Sequence, residues 1–171
     1  LGIGIAFTLV LVHRSAGVKF FRFNAGFAVT LLLVALAMRP ETVALRADVQ
    51  GVALAGLVVA MAALLVYWAT IGRILAWLRP ACLWVTVMFG AVALVTQGVA
   101  VTGGATILVT LMTVASFVTS AALLGGTSTA MVLGHWYLVL PSMDVSLLQS
   151  IVKFHIWSTA ARILVVMAVV W

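Results

Sequence analysis

No Asp, Glu, Lys or Arg occurs between Arg79 and Asp144. Nor does one occur over residues 50–71. A soluble domain averages about 25% charged residues, whereas this chain has 7%, with 66% apolar residues. One water-surrounded core cannot absorb that much apolar surface, because a folded chain of this size must still cover itself with polar groups. Charge-free runs of about 20 residues match the thickness of a bilayer's hydrocarbon core. In that solvent every backbone polar group needs an internal partner, which leaves helices or a closed barrel. The Val/Leu/Ala runs do not alternate as barrel strands do. The chain therefore reads as a single all-α domain over 1–171, a polytopic transmembrane helical bundle.

Proline, glycine and charge divide it into six to seven membrane segments with short loops: 1–12, 23–38, 50–71, 81–101, 105–124, 127–140 and 150–171. Pro40, Pro80 and Pro141 all fall between apolar runs, where proline does least harm to a helix. The pairs Gly103-Gly104 and Gly125-Gly126 are expected to break the chain between helices. The stretch 1–12 is too short to span alone and reads as an incomplete helix.

Charge sets an expected orientation. Seven of the nine basic residues lie in the first three connections: Arg14, Lys19 and Arg22, then Arg39 and Arg46, then Arg73 and Arg79. The positive-inside rule puts the first and third connections on the cytoplasmic side, and counting seven spans puts the Pro141 loop on the other. The run Arg14–Arg22, interleaved with Phe20 and Phe21 and followed by Phe23, reads as a contact for anionic lipid.

Several chemistries are disfavoured. The three carboxylates, Glu41, Asp48 and Asp144, sit in or beside connections, so no acid pair or buried acidic relay is available. The single cysteine, Cys82, cannot form an internal disulfide or hold an iron–sulfur cluster. The net charge of +6 is accounted for by juxtamembrane residues rather than by nucleic acid.

The region 127–164 carries the remaining polar chemistry. His135 precedes Pro141 by six residues and His155 follows Ser150 by five, which predicts two imidazoles at matching depth on the last two helices. His155, Ser158, Thr159 and Arg162 fall at i, i+3, i+4 and i+7, a continuous stripe on one helix face. Arg162 lies deep in its segment, where a charge costs about 2.5–3.5 kcal/mol or more and requires a partner or a cavity. No Asp or Glu of this chain is available at that depth.

Three readings fit this pattern. A haem b would take His135 and His155 as axial metal ligands, with Arg162 on a propionate. A quinone or lipid headgroup would bond the same groups, with Trp136, Tyr137 and Trp157 as walls. Alternatively the stripe is polar glue inside a bundle, or meets a carboxylate on another subunit. The sequence thus leads to the expectation of an integral membrane subunit of a larger respiratory or photosynthetic complex in a bacterial inner membrane. It would hold haem b or quinone near the non-cytoplasmic face through His135, His155, Arg162, Trp136, Ser158 and Thr159. Its partners would be membrane lipids and other membrane subunits. A non-catalytic assembly subunit and a small transporter are the competing expectations.

Overall fold

The computed structural model describes residues 1–38, 47–72, 77–139 and 145–170. Among them the regular structure is entirely helical. It comprises α1 (Gly2–Leu11), α2 (Val18–Ala37), α3 (Ala47–Thr70), α4 (Leu78–Thr102), α5 (Ile107–Val139) and α6 (Val145–Val170), with a short 3₁₀ turn at Arg14–Ala16. α2 to α6 are each long and apolar enough to cross a membrane, while α1 is a 10-residue apolar helix. The chain is a multi-pass membrane protein by this criterion. Arg39, Pro40, Glu41, Arg46, Arg73, Pro141 and Asp144 lie outside the described residues.

The main departure from the sequence expectation is at Gly125-Gly126. No break occurs there, and the segments expected at 105–124 and 127–140 form one helix of 33 residues. Glycine weakens a helix by about 1 kcal/mol relative to alanine, but in lipid a continuous helix still satisfies the backbone best. The glycines serve packing instead. A Cβ on Gly125 would meet the backbone of Gly4, and one on Gly126 would meet the Phe154 ring at 3.1 Å. Gly103-Gly104 does break the chain, because both residues take positive φ, 55° and 104°.

Other boundaries move less. α2 begins at Val18 rather than 23, since Phe20 and Phe21 turn inward while Lys19 and Arg22 face out. Pro80 sits in the first turn of α4, where its missing N–H has no intrahelical acceptor to lose. α6 begins at Val145 rather than 150.

α1 stands at the centre of the bundle and touches α2, α4 and α5. Its Ile5, Ala6 and Thr8 are fully buried, and Leu9 nearly so. Small residues let the backbones approach. A Cβ on Gly2 would lie 2.9 Å from the Ala28 carbonyl oxygen of α2, and a Cβ on Gly90 of α4 would lie 2.7 Å from Ile3. Gly4 meets Ala121 and Gly125, and one turn on the Thr8 and Thr129 hydroxyls share a hydrogen bond of 2.6 Å. Close approach through small residues, with an occasional polar bond, is how helices associate where water supplies no hydrophobic drive.

These pairings fix the directions. Gly4 opposite Ala121 and Thr8 opposite Thr129 make α1 parallel to α5. Gly26 against Trp68, Gly56 against Ala93, Gly98 against Val114 and Gly126 against Phe154 relate consecutive helices from α2 to α6. With Val18 near Gly72, Arg79 bonded to the Thr70 carbonyl, Thr110 bonded to Thr102 and Arg162 bonded to Ser116, each consecutive pair runs antiparallel. The end of α1, the start of α2, the end of α3, the start of α4, the end of α5 and the start of α6 therefore gather at one end. That end carries Lys19, Arg22 and Arg79 and is called the basic end below. The flanks of the Pro141 loop thus lie on the same side as the first and third connections, not opposite them. Fusing two expected spans into α5 removed one crossing and reversed the parity.

Candidate functional site

The polar stripe of α6 forms as its spacing predicts, and its partners lie on α5. Ser158 is buried and Thr159 half-buried, and both hydroxyls donate to the His155 carbonyl, at 2.9 and 2.8 Å. This back-bonding satisfies the hydroxyls locally and leaves them no strong claim on a ligand. The half-buried His155 places Nδ1 3.3 Å from the Thr127 hydroxyl, and Thr127 donates to the Leu123 carbonyl at 2.8 Å.

Arg162, one turn beyond Thr159, is a half-buried cation within the span of α6. Its Nη1 donates to the Ser116 carbonyl at 2.9 Å and the Ser116 hydroxyl at 2.6 Å, with the Thr119 hydroxyl at 3.5 Å. Hydrogen bonds to a charged group contribute about 1.5–3 kcal/mol each, enough to offset much of the cost of placing the charge there. Its depth follows from the pairings. Ser116 precedes Ala121 by five residues, about 8 Å, and Ala121 meets Gly4 beside Gly90, the midpoint of α4. Arg162 therefore lies between one and two helical turns from the middle of the bundle, toward the end away from Lys19 and Arg22.

The guanidinium has five N–H donors. Those on Nη1 are engaged, all with neutral oxygens. A cleft of about 380 Å³ between α5 and α6 is lined by Leu108, Met112, Thr113, Ser116, Ala168 and Val169. The cleft is mainly apolar, and Ser116, the residue that anchors Arg162, forms part of its wall.

His135 is not part of this arrangement. It is exposed on α5, eight residues beyond Thr127, so it stands about 12 Å from the level of His155. The expected matching depth depended on a separate helix over 127–140 and on α6 starting at 150. With α5 continuous and α6 starting at Val145, His155 lies ten residues inside its helix and His135 four from the end of its own. Both histidines also lie on the basic half of the bundle, not the opposite one. A haem or metal ion held between His135 and His155 does not fit this geometry, and the described residues contain no cluster of three metal-ligating side chains. Trp136 is half-buried against the core near Leu133 rather than beside Arg162. Trp157 is 74% exposed.

The structure thus groups His155, Ser158, Thr159 and Arg162 and leaves His135 and Trp136 apart. Sequence reasoning missed Ser116, Thr119 and Thr127, the residues that receive the stripe. Its signal was available: a guanidinium within a membrane span needs acceptors, and α5 carries hydroxyls at 116, 119 and 120. Other hydroxyls of α5 are used locally: Thr113 donates to the Val109 carbonyl and Thr110 to the Thr106 carbonyl, and Thr110 also bonds Thr102 of α4. No protein-family model, curated protein or solved structure matches this chain.

Proposed function

We propose that the chain is an integral membrane protein that holds a lipid-soluble ligand with a carbonyl or oxyanion head in the cleft between α5 and α6. A quinone is the redox-active ligand of this class, and with it the chain would serve as a quinone-holding subunit of an electron-transfer assembly. The observation that carries the proposal is Arg162. It is a cation inside the membrane span whose partners among the described residues are all neutral, and one of them, Ser116, lines a mainly apolar cleft. Such a group attracts an oxygen that bears full or partial negative charge, and the cleft accepts the hydrocarbon attached to it. Haem is not part of the proposal, since its two candidate ligands are at different depths.

The test is direct. Purified protein is titrated with a short-chain quinone, following tryptophan fluorescence, and quinone that copurifies is extracted and quantified. Arg162→Gln, which retains a hydrogen-bond donor but no charge, is expected to weaken binding at least about tenfold, the equivalent of about 1.4 kcal/mol. Ala168→Phe, which fills the cleft, should abolish binding without touching the charge. Unchanged quinone affinity in both variants overturns the proposal.

A second reading, an assembly subunit, has one observation in its favour. α5 and α6 are the least covered spans, with 6% and 11% of their most apolar windows buried. In that case Arg162 meets a carboxylate of another membrane subunit, and Arg162→Gln releases that subunit from the purified complex while quinone content stays constant.

A further inference from the structure

A second site lies at the basic end, on the outer face of α2 and α3, and is independent of the α5–α6 cleft. Lys19, Arg22, Phe23, Gly26 and Phe27 fall at i, i+3, i+4, i+7 and i+8, so they form one stripe on α2. The two cations come first, near the membrane end of the helix, and the apolar residues follow toward the membrane middle. Trp68 of α3 closes the stripe into a groove of about 510 Å³ with these five residues. The Arg22 guanidinium sits 5.3 Å above the Trp68 ring, and the Phe23 and Phe27 rings stack at 6.5 Å. Gly26 opens the floor, since a Cβ there would lie 3.0 Å from Trp68 Nε1.

The electrostatics are one-sided. Asp48 is the only carboxylate among the described residues, and it stands in the first turn of α3, 20 residues and about 30 Å from Trp68. Lys19 and Arg22 are both exposed, and no ion pair involves either among the described residues. Two cations above an aromatic-walled slot match the shape and charge of one molecule class: a phosphate headgroup at the interface with an acyl chain running inward.

We propose that this groove binds an anionic phospholipid of the leaflet at the basic end. Lys19 and Arg22 hold the phosphate, the Arg22–Trp68 stack fixes the guanidinium, and an acyl chain lies along Phe23, Gly26 and Phe27. Stacking on the indole keeps Arg22 at the headgroup level and limits the rotamers it must lose on binding.

The test uses the full chain in nanodiscs of phosphatidylcholine with increasing phosphatidylglycerol, and native mass spectrometry to count retained lipids. Wild type should retain phosphatidylglycerol in preference to phosphatidylcholine. Lys19→Gln and Arg22→Gln should each lower that retention at least fivefold, and Arg22→Lys should restore part of it. Lys153→Gln, a basic residue of α6 outside the groove, should leave it unchanged. An unchanged far-ultraviolet helical signal in each variant establishes that the fold is intact. Equal retention of the two lipids overturns the proposal, as does an equal loss in Lys153→Gln, which would mean diffuse attraction. Displacement of the lipid by millimolar inorganic phosphate also overturns it, because the chain-binding groove would then contribute nothing.

Discussion

Gly4→Ala is the substitution on which the central packing can be judged. An alanine Cβ at that position falls on the Ala121 carbonyl and lies 3.1 Å from the Gly125 Cα. Restoring ordinary contact, about 3.5 Å, requires α1 and α5 to part by roughly 2 Å. The obstacle is helix backbone, which cannot rotate aside as a side chain can. Overpacking of this kind costs about 1–3 kcal/mol, and a backbone obstacle puts it near the top of that range. The Thr8–Thr129 bond, 2.6 Å long and one turn away, is stretched by the same movement. Its loss adds about 0.6 kcal/mol, the average for interhelical bonds in membranes.

The sum is about 3 kcal/mol, or roughly a 100-fold shift of the folding equilibrium. Reversible unfolding in mixed micelles, with an increasing fraction of denaturing detergent and tryptophan emission as readout, measures it. Gly51→Ala on α3 is the internal control. Its Cβ meets nothing within 4 Å, so helix propensity alone should stabilise by up to about 1 kcal/mol. The double variant Gly4→Ala/Gly125→Ala should cost less than the sum of its parts, because both act on one contact. If Gly4→Ala lies within about 0.5 kcal/mol of Gly51→Ala, α1 is not packed against α5 as described.

Three further outcomes are expected. Gly17, between α1 and α2, takes φ 87° and ψ 155° with open space around its Cα. Gly17→Ala should therefore destabilise by about 1–3 kcal/mol through backbone strain alone, checked in the same micelle titration. Asn24 is fully buried and donates to the Phe20 carbonyl at 3.0 Å, but its Oδ1 has no partner among the described residues. Asn24→Leu, which removes the unsatisfied oxygen, should change stability by less than about 1 kcal/mol, whereas Asn24→Asp, a buried charge, should cost several times that. Because His135 is exposed and His155 touches Thr127, His135→Ala should be silent in the unfolding midpoint while His155→Ala costs roughly 0.6 kcal/mol.

The α6 stripe and the two histidines illustrate how far the candidate site was readable. Ser158, Thr159 and Arg162 share a face because helical period alone places them there. The pairing of His135 with His155 required knowing where two helices begin and which turns face each other. An error of five residues at the start of α6 and a missing break at Gly125-Gly126 moved the rings about 12 Å apart in depth. Pro80 misled in a similar way, since a proline at a connection and a proline in a first turn look alike in sequence.

From its residues alone, the chain was bound to form apolar helices that cross a membrane, with its cations at the ends of the early segments. Hydrocarbon contains no water to satisfy the backbone, so each segment must close its own hydrogen bonds, and that requirement is local. Whether Gly125-Gly126 ends a helix or receives one was a different kind of question. The answer lay in Gly4 and Phe154, more than 25 residues away in sequence on either side. The acceptors of Arg162 and the side on which α5 ends followed from the same long-range contacts. Association within a bilayer depends on which small surfaces meet, and nothing within a single helix records its neighbour.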